Sequence, residues 1–264
     1  MPPKTLNVAL LGTKFMGKAH SNGLRQVRSF MNPKTMPVMK VIVGRDEAGT
    51  AGMAERFGWE EASTDWKAVI KRDDIDVVDI GTPGNLHAEM AVAAAKAGKH
   101  IVCEKPLANT VKEAEAMVKA VQQAGVQHMC GFTYRFNPAI QTIKAMIAQG
   151  ALGELFHVRA CYQQDWIVDP DFPINWRLQK ATAGSGALGD IGAHIVDMAQ
   201  YLAGGIAEVS SAMTTFINER PISDEAATIA AQGKGKRGAK KGKVDVDDAA
   251  IFVARFSNGR TLGT

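Results

Sequence analysis

The chain has 264 residues, 46% of them hydrophobic and 22% charged, which is enough to bury one large core or two modest ones and leaves no compositional case for disorder. Its formal charge of +4 is concentrated: residues 233–243 (GKGKRGAKKGK) hold six Lys or Arg and no acid, the remainder is near neutral, and a nucleic-acid partner is therefore not expected. The opening residues carry no charged run before a long apolar stretch, and no apolar run approaches the roughly 20 residues of a membrane helix, so a soluble, cytoplasmic protein without a membrane partner is expected.

The first half alternates apolar β-type runs with helix-period segments, the pattern of repeated βαβ units around a parallel sheet. Strands are predicted at 6–11, 40–44, 77–80, 100–103 and 127–131, with helices at 17–29, 47–57, 65–71, 86–97 and 111–124. Gly58, Gly98 and Gly125 stand where three of these helices should stop, and Thr110 where one should be capped. After Phe132 the rhythm changes to a helix at 138–149, a strand at 155–164, an irregular Trp-rich stretch, a helix at 189–201 and strands at 207–217 and 247–256. The two domains expected are thus 1–131, α/β with a doubly wound parallel sheet, and 132–264, α+β with an open, largely antiparallel sheet. Between the last two strands, 233–243 reads as a solvated flexible loop, with an anion contact as its alternative. Asn258-Gly259 signals a hairpin turn into a strand at 260–264. That last strand would be an unfinished edge, so a longer natural protein, or a sheet completed by another chain, is expected.

Several motifs bear on chemistry. In Gly12-Thr13-Lys14-Phe15-Met16-Gly17 a glycine turn follows a strand and opens a helix, the setting of a dinucleotide fingerprint, although a tight turn without ligand would use the same glycines. Lys14 holds the place of the middle glycine, so its side chain must point outward or put its ammonium on the phosphates. At the end of the second strand Asp46 is suited to a ribose of NAD, while Arg45 could pack along the adenine or meet the extra phosphate of NADP; NAD is favoured. Thr82, Pro83, Asn85 and His87 follow one parallel strand, and Glu104 and Lys105 the next, at the edge where doubly wound sheets bind ligands. Cys103, Cys130 and Cys161 lack paired spacing and read as buried thiols, and the remaining histidines lack ligand spacing, so no metal is implied.

Taken together, the GxxxxG turn, Thr82-Pro83 followed by His87, the Glu-Lys-Pro turn at Lys105 and the run Gly189-Asp190-Ile191-Gly192-Ala193-His194 resemble the glucose-fructose oxidoreductase and inositol dehydrogenase family (Gfo/Idh/MocA) along essentially the whole chain. The resemblance implies a Rossmann domain followed by a substrate domain, with Lys105 beside the nicotinamide and Asp190 and His194 completing the catalytic set. FMGKAHS at residues 15–21 and the segment 163–176 look most like the branch containing levoglucosan dehydrogenase and other oxidases of sugar C3 hydroxyls. Family members end with a larger sheet than this chain supplies, and the full-length form is expected to be a homo-oligomer.

The residue chemistry agrees with that implication. Asp190 and His194 are four apart in a helix-period stretch and share a face. Removing hydride from a carbinol requires a base for the hydroxyl proton; His194 suits that task, Lys105 would stabilise alkoxide character or relay the proton, and Asp190 would hold a neighbouring hydroxyl. By resemblance Tyr134 and Arg135 border the substrate, or else form a hinge cluster. Gln163, Asp165, Trp166, Trp176 and Arg177 fit a sugar site, where indoles stack on pyranose faces and polar groups take hydroxyls; packing of the tryptophans is the rival reading. The expected activity is hydride transfer between a sugar or cyclitol and NAD, with NADP possible, acting on levoglucosan or a glycoside. An inositol 2-dehydrogenase and a non-catalytic dinucleotide sensor are the alternatives.

Overall fold

A computed structural model describes residues 4–31, 33–222 and 240–264, in two compact units, Met1–Gly131 and Phe132–Thr264.

The first unit runs β1 (Lys4–Leu11), α1 (Phe15–Met31), β2 (Thr35–Val43), α2 (Glu47–Phe57), β3 (Glu61–Ser63), α3 (Trp66–Ile70), β4 (Val77–Ile80), α4 (His87–Lys96), β5 (His100–Cys103), α5 (Val111–Ala124) and β6 (His128–Cys130). Its sheet is parallel throughout, in the order β3-β2-β1-β4-β5-β6. The strand direction of winding reverses between β1 and β4, which opens a crevice at their carboxyl ends. Alternate residues of β1 serve opposite faces, as the two-residue period of a strand requires: Ala9 and Leu11 pack with Val78, Ile80, Met90 and Val121, whereas Val8 and Leu10 pack with Ile42, Met53 and Trp59. Helix ends follow local chemistry. Thr110 and Glu113 form a reciprocal capping box, and Gly58 and Gly125 end α2 and α5 in left-handed conformations. The sequence pattern missed β3, whose three residues Glu-Ala-Ser carry no apolar run and gain strand geometry only by pairing with β2.

The second unit contains α6 (Pro138–Ala148), β7 (His157–Val158), α7 (Lys180–Ala183), a π-helical turn at Leu188–Gly192 leading into α8 (Ala193–Ala203), then β8 (Ile206–Thr214), β9 (Glu219–Pro221), β10 (Lys241–Lys243), β11 (Ala249–Phe256) and β12 (Leu262–Gly263). Its larger sheet has the order β7-β12-β11-β8, antiparallel except for the parallel β12–β7 pair. The Asn258-Gly259 turn forms as its residues predict: Gly259 takes φ +72°, and the Asn258 carboxamide oxygen accepts the Arg260 and Thr261 N–H groups at 3.0 Å.

Four expectations are corrected. The strand at 155–164 shrinks to two residues. β12 lies between β11 and β7 and is not an edge strand. Lys241–Lys243 pair with Glu219–Pro221 in a small antiparallel ladder instead of belonging to a solvated loop, while 233–239 lie outside the described residues. Cys161 is exposed, in contrast to buried Cys103. Among the described residues no helix is long and apolar enough to cross a membrane.

Candidate functional site

In the first unit the glycine turn after β1 is built for close approach. Gly12 has φ +121°, a conformation costly for any residue with a side chain, and its N–H donates to the Val43 carbonyl at 2.8 Å. A Cβ on Gly12 would stand 2.7 Å from the Gly81 carbonyl oxygen, and one on Gly17 only 2.1 Å from that of Gly12. The turn therefore holds the start of α1 directly against the β1 and β4 ends. The first turn of α1 carries no acid, so no side-chain charge there opposes the positive end of the helix dipole. Lys14 and Phe15 are exposed at this helix start, Met16 is half-buried, and nothing in the geometry requires a glycine where Lys14 stands.

Asp46 has a task that the sequence pattern did not reveal. It caps α2, with Oδ2 accepting the Gly49 N–H at 2.7 Å; Arg45 beside it is exposed. The loops after β4 and β5 are clamped together. His87 was expected to contact a cofactor, but its ring is buried, with Nδ1 2.9 Å from the Pro106 carbonyl oxygen and Nε2 2.8 Å from that of Thr82. It fixes the loops instead of facing outward. Pro83 and Thr82 are half-buried, the Thr82 hydroxyl donating to Met90 Sδ at 3.6 Å, and Asn85 is exposed at the short turn Gly84–Leu86.

Lys105 follows β5, half-buried, with its peptide to Pro106 in the cis form. Its backbone N–H donates to Glu104 Oε2 at 3.2 Å. Glu104 is itself buried, and its other oxygen meets His20 Nε2 at 3.0 Å; His20 Nδ1 lies 2.9 Å from both oxygens of buried Asp79. Sequence reasoning missed this charged cluster because its members are 59 and 84 residues apart. The available signal was a carboxylate inside the apolar strand Val77–Ile80.

In the second unit the imidazole of His194 stacks on Tyr134, ring centroids 4.4 Å apart, with Phe132 edge-on at 6.3 Å. Tyr134 and Tyr162 share a hydroxyl hydrogen bond of 2.9 Å; Gln164 Nε2 donates to the Tyr162 hydroxyl at 3.2 Å, and Trp166 Nε1 donates to Gln164 Oε1 at 3.0 Å. Tyr162 was not anticipated, although an aromatic next to Gln163 in a polar stretch could have suggested it. The Tyr162 bond, with burial added, pushes the Tyr134 phenol up to about 12, so Tyr134 stays neutral near pH 7. Asp190 lies in the π-helical turn, 3.7 Å from Arg177 Nε, and the Arg177 guanidinium covers the half-exposed Trp176 ring at 4.4 Å. Burial pulls the Arg177 pKa below its ordinary value, against the pull of Asp190. Arg135 is bound bidentately by buried Asp197, at 2.8 and 2.5 Å, and lies over Phe132 and Tyr201. Gln163 and Asp165 are exposed, and Trp166 packs edge-on against Phe172.

The helix start that carries Asp190 and His194 is set from a distance. Asp247 accepts the Gly186 N–H on Oδ1 at 2.8 Å and the Leu188 N–H on Oδ2 at 2.7 Å, and its carbonyl accepts the Ala187 N–H at 2.9 Å. The expected regular helix over 189–201 is therefore wider in its first turn, a feature that recurs at functional sites.

A six-stranded parallel sheet with a glycine turn at its switch point is the architecture of a dinucleotide-binding domain, and the chain belongs to the Gfo/Idh/MocA family. Residues 6–132 match the oxidoreductase family with an NAD-binding Rossmann fold, and residues 140–263 match the GFO/IDH/MocA C-terminal domain. Levoglucosan dehydrogenase of Pseudarthrobacter phenanthrenivorans is 47% identical over 257 residues, 97% of this chain and 66% of that protein. A solved levoglucosan dehydrogenase in complex with NADH and levoglucosan superposes with a TM-score of 0.90 at 46% identity, covering 98% of this chain and 66% of that one. Myo-inositol 2-dehydrogenase of Thermotoga maritima is 25% identical over 96% of this chain and 66% of its own length. The chain thus spans just under two thirds of the length of these relatives.

Proposed function

We propose that the protein is an NAD-dependent dehydrogenase that moves a hydride between a ring CH–OH of a sugar and nicotinamide, with the C3 hydroxyl of levoglucosan or a related glycoside as its substrate. The observation that carries the reading is Lys105 at the carboxyl end of β5, on the same sheet edge as a glycine turn whose glycines permit no side chain, in a chain 47% identical to a levoglucosan dehydrogenase.

The crevice fits a dinucleotide. The N–H groups at the start of α1, with Gly12 and Gly17 leaving the backbone bare, receive the pyrophosphate; Lys14, Phe15 and Met16 border it, and Asp46 Oδ1 accepts from the ribose beside Arg45. Thr82, Pro83 and Asn85 line the same sheet edge. Nicotinamide, when bound, supplies the hydride acceptor. Lys105 donates a hydrogen bond to the substrate oxygen as negative charge develops there. His194, its ring plane set by Tyr134, takes the hydroxyl proton, because imidazole titrates close to neutral pH and the Tyr134 phenol does not. Asp190 orients a neighbouring hydroxyl, steadied by Arg177. Arg135, committed to Asp197, supports Tyr134, while Gln163, Asp165, Trp166 and Trp176 supply hydroxyl partners and flat apolar faces to the ring.

The test is the absorbance at 340 nm with NAD or NADP and levoglucosan, methyl glucoside, glucose or myo-inositol. Levoglucosan or the glycoside with NAD is expected to react fastest, and inositol alone would replace the substrate assignment. Lys105→Ala and His194→Ala should each lower kcat by at least about 100-fold while NADH affinity, read by fluorescence, stays within about threefold. A large loss of NADH affinity in His194→Ala would remove it from the proton role.

A further inference from the structure

The segment at residues 15–21 contributes Gly17 to the dinucleotide turn, yet its His20 has no task in that reading. In the fold, His20 projects from α1 into the space between β4 and the end of β5, where its ring is bracketed by Asp79 and Glu104. Both carboxylates are buried, with side-chain exposures of 8% and 6%, and the imidazole itself is only 16% exposed. Each ring nitrogen faces a carboxylate oxygen. A neutral imidazole has a single N–H, so one lone pair would oppose a carboxylate; the doubly protonated ring satisfies both. Burial alone would lower the His20 pKa, but the hydrogen bonds and charges of Asp79 and Glu104 outweigh it and push it up to about 10.

The contacts continue toward Lys105. Glu104 spends Oε1 on His20 and Oε2 on the Lys105 N–H, so both oxygens are directed by partners of opposite polarity. Gly131 closes the remaining side: a Cβ there would stand 2.7 Å from Glu104 Oε1. Helix α1, strand β4 and the end of β5 are thereby tied through three side chains to one backbone amide.

We propose that His20 is a positioning residue: clamped between Asp79 and Glu104, it holds the Glu104 carboxylate on the Lys105 amide and so fixes the direction in which the Lys105 amine leaves the sheet edge. The inference deepens the dehydrogenase reading and rests on it for the effect on turnover. Without His20, two buried carboxylates lose the cation between them, and one must take up a proton or turn toward water. Either change releases the Lys105 N–H. A misplaced amine lowers kcat because proton and charge transfer demand close alignment, whereas cofactor held by the glycine turn is unaffected.

The experiment uses the full 264-residue chain with His20→Ala and His20→Phe, and reads hydrogen exchange at the Lys105 amide by NMR alongside kcat, KM and NADH affinity. In His20→Ala the Lys105 amide is expected to lose at least about tenfold of its protection while the amides of Leu10 and Val78 keep theirs. Turnover should fall about 30-fold or more with NADH affinity within threefold. Added imidazole, entering between Asp79 and Glu104, should restore part of both the Lys105 protection and kcat in His20→Ala and do neither in the wild type. His20→Phe keeps an aromatic ring and removes both N–H donors, and should lose the same protection, which decides the matter if His20→Ala does not fold. Unchanged Lys105 exchange in either folded variant, or a kcat loss matched by an equal loss of NADH affinity, overturns the proposal. If the wild type turns over no sugar, the dehydrogenase reading fails, and Lys105 exchange alone still decides whether His20 anchors that amide.

Discussion

The carboxylate of Asp46 gives its two oxygens different surroundings, Oδ2 accepting the Gly49 N–H and Oδ1 facing away from the cap, so charge and capping can be separated by substitution. Asp46→Ala should remove both, costing about 1 kcal/mol of stability with the cap in addition to any loss of NAD affinity. Asp46→Ser keeps a capping acceptor and discards the second oxygen, so its melting temperature should stay close to wild type while NAD affinity drops about tenfold, or about 1.4 kcal/mol. Fluorescence titration beside thermal melting checks the pair, and NAD affinity unchanged in Asp46→Ser rejects the ribose contact.

His20 makes a second prediction at this scale. Its folded pKa of about 10 lies above the ordinary histidine value of 6.5, so the folded protein holds a proton that the unfolded chain gives up between those limits. The stabilisation is complete below about pH 6.5 and is lost as pH rises through about 10. Asp79, pushed up chiefly by burial, moves in the same sense, but its effect begins at the lower pH where unfolded carboxyls ionise. Urea unfolding of wild type and His20→Gln should therefore differ by about 2 kcal/mol near pH 7, and the difference should shrink toward pH 10. A difference independent of pH would mean that His20 is not held as a cation.

At the scale of elements, the helix start bearing Asp190 and His194 depends on Asp247 more than on its own sequence. Asp247→Ala leaves the Gly186 and Leu188 N–H groups without their carboxylate, and Gly186→Ala would drive a Cβ to 1.9 Å from the Asp247 carbonyl oxygen. Each should destabilise the second unit by about 2 kcal/mol and loosen the first turn of α8. Hydrogen exchange at 188–194 should rise in both variants while β1 and β4 keep their protection; unchanged exchange would show that the turn sustains itself. The same element marks where sequence reading stops. Val77–Ile80 and His100–Cys103 are legible to the residue because strands buried on both faces are short, mostly apolar runs bounded by polar turns, interrupted here only by Asp79 and opened by His100. The π-helical turn is not, since the groups that widen it come from Asp247, 59 residues beyond Leu188. Likewise Lys241–Lys243 read as a solvated loop, although pairing with β9 makes it a strand, and nothing local announces that Arg220 in β9 is fully buried with three backbone carbonyls around its guanidinium. Lys105, Asp190 and His194 stood out as motifs, whereas His20 and Tyr162 draw their surroundings from distant partners.

At the scale of the whole molecule the two units differ in how completely they cover their apolar surface. In the first, both sheet faces are packed by helices. In the second, the core cluster of Leu178, Val244 and Val246 is small, while Val209 and Met213 of β8, Ile251 and Val253 of β11, and Leu262 of β12 are all at least half exposed. By the register of β11 with β8 and β12, Ile251, Val253 and Leu262 share one face of the sheet, whereas Val209 and Met213, paired with Ala254 and Ala250, lie on the other. An exposed apolar sheet face of this kind adsorbs hydrophobic dyes and contributes little to resisting local opening. We expect anilinonaphthalene sulfonate to fluoresce on the native protein and Ile251→Thr with Val253→Thr to remove at least about half of that signal, since threonine keeps the β-branched shape that strands favour and replaces the ethyl arm of isoleucine or a methyl of valine with a hydroxyl. Amides of β8 and β11 should exchange through openings of lower free energy than those of β1 and β4, with the substitutions leaving β1 and β4 unaltered. Dye fluorescence indifferent to both substitutions would place the adsorbing surface elsewhere. Equal protection in the two sheets would show that the second unit is as stable as the first despite its thinner core.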